Sequence, residues 1–335
     1  MRLSRDIRWI DVALPAAALL VVLAIGYLAY TVLSTESREE ETAAASRTVA
    51  DLTAAIEEAP NDPAPRLKLA EVYAAAGRLD EAVEQYEVVL GIDEDNAAAL
   101  TGLGLIAMFE DDWESAEEYW RRLIDEIGTE QYAGLDQRLA VAYHQLGVTL
   151  IEREKYGEAV RYLKEALRIR RTAADTHYAL AVAYRELGSK EKQRTHLHRA
   201  LMFDPLMPEA NYDFGLLLLA EGDVAGAAEH FRDSADNAPE GITDPADELA
   251  ELGPFEERLA EARRLAQSDP AAALVEARVA RALDPGDLAA AKLVARLYRR
   301  TGDAVAAEEA WQKVLVLWPD EPEAVAALKR LQGED

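Results

Sequence analysis

Three observations predict an all-α chain: a solenoid of stacked antiparallel helix pairs preceded by a single transmembrane helix. The first is an uncharged apolar run, "VALPAAALLVVLAIGYLAYTVL", from Val12 to Leu33. The second is that every regular segment beyond it has the period of an amphipathic helix, without the two-residue alternation or β-branched enrichment of a strand. The third is a recurring distance. The residue that opens each second helix is Ala82, Ala116, Ala159, Gln193, Ala227, Ala273 and Ala307, at spacings of 34, 43, 34, 34, 46 and 34. Self-similarity at that period marks a stack of repeats.

Taken in chain order, residues 1–11 form a tail carrying Arg2, Arg5 and Arg8. The run 12–33 is about 22 residues, enough to span roughly 30 Å of hydrocarbon. It lacks the polar face of a core helix, and it is followed by "STESREEE" rather than by the small-residue cleavage site of a signal peptide. Three arginines precede it and only Arg38 lies close behind, which leaves the N-terminus in the cytosol. The expectation is a single-pass protein of a cell membrane with its repeats on the extracytoplasmic side. Residues 34–46 read as an acidic linker. Repeat blocks follow at 47–130, 140–241 and 254–321, and 322–335 form a capping helix built on "EAVAALKRLQ". The first block opens with a lone second helix, Leu52 and Ala55 inward. The two longer spacings place insertions near Gln131–Leu139 and Ile242–Gly253.

Within the repeats the same residue types return in phase. First helices carry a large residue followed by a small one at Leu69–Ala70, Leu103–Gly104, Leu146–Gly147, Leu180–Ala181 and Phe214–Gly215. Second helices carry an aromatic or Leu four residues after the small opener, at Tyr86, Trp120, Leu163, Leu197, Phe231 and Trp311. Pro205, Pro239, Pro285 and Pro319 close repeats. Small residues allow close helix approach, and the large side chain of the second helix fills the space so left. In the sixth repeat Glu261 and Arg264 stand where a small and a large apolar residue belong; sliding that helix by one residue restores Ala262 and Leu265 and implies an altered loop at 268–270. From roughly Pro63 to Glu321 this pattern resembles the tetratricopeptide repeat family. The resemblance implies a right-handed α-solenoid that binds other proteins or peptides, similar to membrane-anchored members of bacterial envelopes.

Composition narrows the chemistry. With 63 acidic against 36 basic side chains the net charge is −27, which argues against a nucleic-acid partner. Without cysteine, a disulfide framework, a zinc-thiolate site and a Cys nucleophile are excluded. The five histidines, His144, His177, His196, His198 and His230, do not make a spacing-four helical metal pair and read as packed or solvated. Phosphate loops, nucleophile elbows and dinucleotide fingerprints are missing. No catalytic residue, cofactor, metal or small-molecule substrate is therefore expected.

By the family's geometry, partners are received on the exposed sides of first helices. These are Leu105, Met108 and Phe109; His144, Val148 and Ile151; Tyr178, Val182 and Arg185; and Tyr212, Leu216 and Leu219. An apolar and aromatic strip of this kind suits an amphipathic helix or peptide, and it equally suits packing between neighbouring repeats. The seventh repeat instead presents Lys292, Arg296, Arg299 and Arg300, which either meet an acidic partner or pair with nearby glutamates such as Glu308 and Glu309. Two functions fit: a scaffold assisting assembly of an envelope complex, or a permanent brace within one larger membrane complex.

Overall fold

The computed structural model describes residues 46–128 and 136–332. The expected membrane run, the tail and nearly all of the linker lie outside these residues. Among the described residues there are seventeen helices and no strand, and no helix is long and apolar enough to cross a membrane. The chain divides into two compact units, the first ending at Ile127 and the second beginning at Gly128.

The first unit holds α1 (46–58), α2 (Pro63–Ala75), α3 (Leu79–Ile92), α4 (Ala97–Phe109) and α5 (Trp113–Gly128). Leu52 and Ala55 are partly buried on α1. Asp62 and Asn96 cap α2 and α4 by accepting from Ala64 N and Ala99 N, which satisfies donors that a helix start leaves open. Ala70, Ala82, Tyr86, Val89 and Leu103 form one core cluster. Trp120 is fully buried over Gly104, where an added Cβ would come within 2.8 Å of the indole. Only glycine leaves room there for a ring that size.

The second unit repeats this scheme with α6 (Gln137–Glu152), α7 (Tyr156–Ile169), α8 (Ala174–Glu186), α9 (Lys190–Phe203), α10 (Pro208–Ala220) and α11 (Val224–Asn237). Leu163 and Phe231 lie against Gly147 and Gly215, where a Cβ would approach to 2.5 and 2.6 Å. All seven openers, including the polar Gln193, are buried.

Six of the seven helix pairs turn through a left-handed residue five positions before the opener; the pair whose opener is Ala273, with Ser268 at that place, does not. Glycine serves at Gly77, Gly188, Gly222 and Gly302, and the same conformation is imposed on Asp111 (φ 58°) and Glu154 (φ 57°). Side chains with a Cβ adopt it at a cost.

The insertion expected near 242–253 carries a short helix: α12 (Asp244–Glu251) has Pro245 in its first turn and buries Leu249 and, just past its end, Leu252 in the cluster around Phe231. In consequence α11 packs against α12 and α14 (Pro270–Leu283), where the regular scheme would have it meet α13 (Phe255–Leu265). On α13, Leu259 and Ala262 are buried and Arg264 is exposed, so the one-residue slide holds. The chain ends with α15 (Leu288–Thr301), α16 (Ala304–Leu317) and α17 (Pro322–Gln332). Ala324 and Ala327 of α17 close the cluster that holds Trp311 and Val314.

Candidate functional site

The expected strip falls on the first helices, and its members differ in how far they reach solvent. In the first unit Phe109 at the end of α4 is 78% exposed and Leu105 48%, while Met108 is half-buried. In the second unit Leu216 is 36% exposed. Val148 and Ile151 pack against the cluster of Leu163 and Leu180. Tyr178, Tyr212 and Leu219 pack against the cluster of Phe214 and Phe231, and Val182 is half-buried. His144 is turned inward, its Nδ1 3.0 Å from Thr176 Oγ1, and burial lowers its pKa. The two tyrosines are therefore partly structural, and the freest apolar surface is at Phe109, Leu105 and Leu216.

Between α8 and α10 the strip contains a polar knot that the apolar pattern did not indicate. Asp213, nearly buried, accepts from Arg185 Nη1 at 2.8 Å, and the Tyr178 hydroxyl is within its hydrogen-bonding reach. Burial raises both the Asp213 carboxyl and the Tyr178 phenol above their ordinary ranges, and Arg185 holds the carboxyl back from a larger rise. Asp213 sits among apolar residues in "NYDFGLLLL", so only its charge inside that run signalled a partner. Arg185, expected at the binding face, is thereby tied to the fold by one of its nitrogens.

Models described as tetratricopeptide repeat match residues 39–89, 95–172, 144–204 and 194–242. The chain carries tetratricopeptide repeats. A comparison with curated proteins finds no match. Among solved structures, YrrB, described as a TPR protein with an unusual peptide-binding site, is 20% identical over 57% of this chain and 93% of its own, with a TM-score of 0.46. PilF of Pseudomonas aeruginosa is 15% identical over 82% and 97%, with a TM-score of 0.46. PilW, described as a widely conserved type IV pilus biogenesis factor, is 16% identical over 79% and 98%, with a TM-score of 0.45.

In the last TPR repeat, the basic side chains of α15 are engaged by the capping helix. Lys292 Nζ lies 2.6 Å from Glu321 and 2.9 Å from Glu323, and Arg296 grips Glu323 through two nitrogens at 2.5 Å. The partners are thus Glu321 and Glu323, not Glu308 and Glu309, because α17 folds back over this end of α15. Arg296, with Lys292, holds the Glu323 carboxyl down to about 2. Arg300 donates to Gln267 O, and Arg299 is exposed.

The histidines of the TPR repeats are mostly packing elements. His177 Nδ1 meets His196 Nδ1 at 3.1 Å, and His177 Nε2 lies 3.2 Å from Arg171 O. Phe203 stacks on His177 and Tyr184 on His196. His230 Nδ1 is 2.8 Å from Asn211 Oδ1, whose amide donates to Pro205 O and Met207 O. His198 is exposed.

Proposed function

We propose that this protein is a membrane-anchored TPR scaffold of a cell envelope. Its N-terminal apolar run holds it in the membrane, its repeats lie outside the cytosol, and it receives an apolar or amphipathic segment of a partner protein on its first-helix faces. One observation carries the reading of the surface. The residue after the small one of the first helix is apolar in four consecutive repeats, at Leu105, Val148, Val182 and Leu216, and each remains at least partly accessible. A position with no task other than solvation would be polar. The anchor rests on the length of 12–33 and on the arginines ahead of it.

The reading is tested by truncating the exposed members and measuring capture of partners by the full chain in mild detergent. Phe109→Ala and Leu216→Ala are each expected to weaken capture by about 1–3 kcal/mol, as loss of an apolar anchor does. Melting should be nearly unchanged, since these side chains contribute little to the core. Wild-type capture by both variants would remove the first-helix face from the account. A single partner held stoichiometrically and insensitive to either change would make the protein a brace within one complex.

A further inference from the structure

A second surface lies within the second unit, at the irregular junction of α11 and α14. Because α11 packs directly on α14, a cavity of about 440 Å³ opens among α11, α14, α15 and α16, a size that suits a small organic ligand. Its walls are fixed by ion pairs and carbonyl contacts. Arg278 holds Glu229 through two nitrogens at 2.8 and 2.7 Å. Arg232 donates to Ala282 O and Leu283 O at 2.6 and 2.9 Å, tying α11 to the end of α14.

One turn beyond Arg278, Arg281 faces the same cavity and makes no hydrogen bond or ion pair to another described residue. Burial lowers its pKa, and Glu229 and Tyr298 only partly offset this. At the more exposed part of the wall the Asp233 carboxylate is also without a hydrogen-bonded partner; burial raises its pKa, with Glu229 and Asp236 adding to the rise and Lys313 opposing it. A half-buried guanidinium and a solvent-exposed carboxylate thus share one cavity without pairing. The buried part of the Arg281 guanidinium is desolvated with no carboxylate in contact, a cost that a bound carboxylate would offset. Four basic and four acidic side chains line the cavity, so its near-zero net charge disfavours phosphates and other polyanions. Val294 and Pro285 add an apolar wall.

We propose that this cavity binds a small dipolar ligand of the amino-acid type, its carboxylate on Arg281, its ammonium group at Asp233 and its aliphatic part against Val294 and Pro285. The two charged ends select for a molecule carrying both, and the apolar wall selects among side chains. Occupancy would brace α14 against α11 and α16.

The test is calorimetric titration of the full chain in detergent with leucine, with N-acetyl-leucine, which keeps only the carboxylate, and with leucinamide, which keeps only the ammonium group. Leucine should saturate, and each single-charge analogue should bind at least about tenfold more weakly, the lower range for losing one charged hydrogen bond. Arg281→Gln should abolish leucine binding with little change in Tm, because Arg281 makes no hydrogen bond or ion pair to another described residue. Asp233→Asn should bind leucine no better than N-acetyl-leucine. No saturable heat with leucine up to about 10 mM, where binding is worth only about 2.7 kcal/mol, overturns the proposal. So does N-acetyl-leucine binding as tightly as leucine, or undiminished leucine binding by Arg281→Gln.

Discussion

Trp120→Ala should cost the first unit about 3–5 kcal/mol, the range for truncating a fully buried aromatic side chain. The indole fills the space that Gly104 and Ala116 leave between helices, and neither backbone can move in to replace it without losing its other contacts. Ala116→Arg acts on the same contact in the opposite sense, forcing a long charged side chain into a site with no solvent access. Its cost should be at least as large. Trp120→Phe provides a control: the indole Nε1 is buried without a hydrogen-bond partner, so replacing it removes an unpaired donor and offsets part of the lost volume. Denaturant unfolding followed by circular dichroism should rank the variants as parent, Trp120→Phe, then Trp120→Ala. A Trp120→Ala curve within about 1 kcal/mol of the parent would mean that the helix register of this repeat is misassigned.

Acid should weaken the His177–His196 contact more than its surroundings suggest. Burial, the neighbouring His177 and the charges of Arg199 and Lys164 lower the pKa of His196 to about 4, and burial lowers that of His177. A histidine whose folded pKa lies below its unfolded value stabilises the fold above the unfolded pKa, near 6.5, and loses that contribution as pH falls toward the folded pKa. For His196, a half-buried ring that solvent partly screens, the loss on going from pH 7.5 to 5 is on the order of 1 kcal/mol. Protonating carboxylates also relieves the self-repulsion of a chain carrying a net charge of −27, which acts in the opposite sense. The difference between parent and His196→Gln isolates the histidine: the variant should lose on the order of 1 kcal/mol less than the parent over that interval. Parallel pH profiles for the two would show that His196 is not buried against His177.

Much of this architecture was legible because the repeat restates each local rule. An opener such as Ala227, an aromatic such as Phe231 and a glycine such as Gly215 recur in phase, so one misread residue is corrected by its equivalents. The slide at Ala262 could be read for that reason. What recurs nowhere could not. Residues 242–253 counted as surplus to the period, yet 244–251 form a helix that, with Leu249 and the following Leu252 buried, takes the neighbour's place on α11. Asp111 and Glu154 hide a left-handed turn that glycine announces elsewhere. Asp213 and Arg281 are single charges whose meaning depends on what the stack brings beside them: a guanidinium in one case, no partner in the other. The strip was legible as residues and not as exposure, because whether Tyr178 or Phe109 faces solvent is decided by the neighbouring repeat.

Site-directed cross-linking at Phe109 tests the central claim most directly. The chain has no cysteine, so F109C on the first-helix face and V88C, an exposed second-helix position, each introduce one unique thiol for a membrane-impermeant photo-cross-linker. The account predicts that both label in intact cells and that a discrete protein adduct forms at 109 and not at 88. Labelling only after the membrane is broken would contradict the extracytoplasmic placement, and equal or stronger adducts at 88 would contradict binding through the first helices.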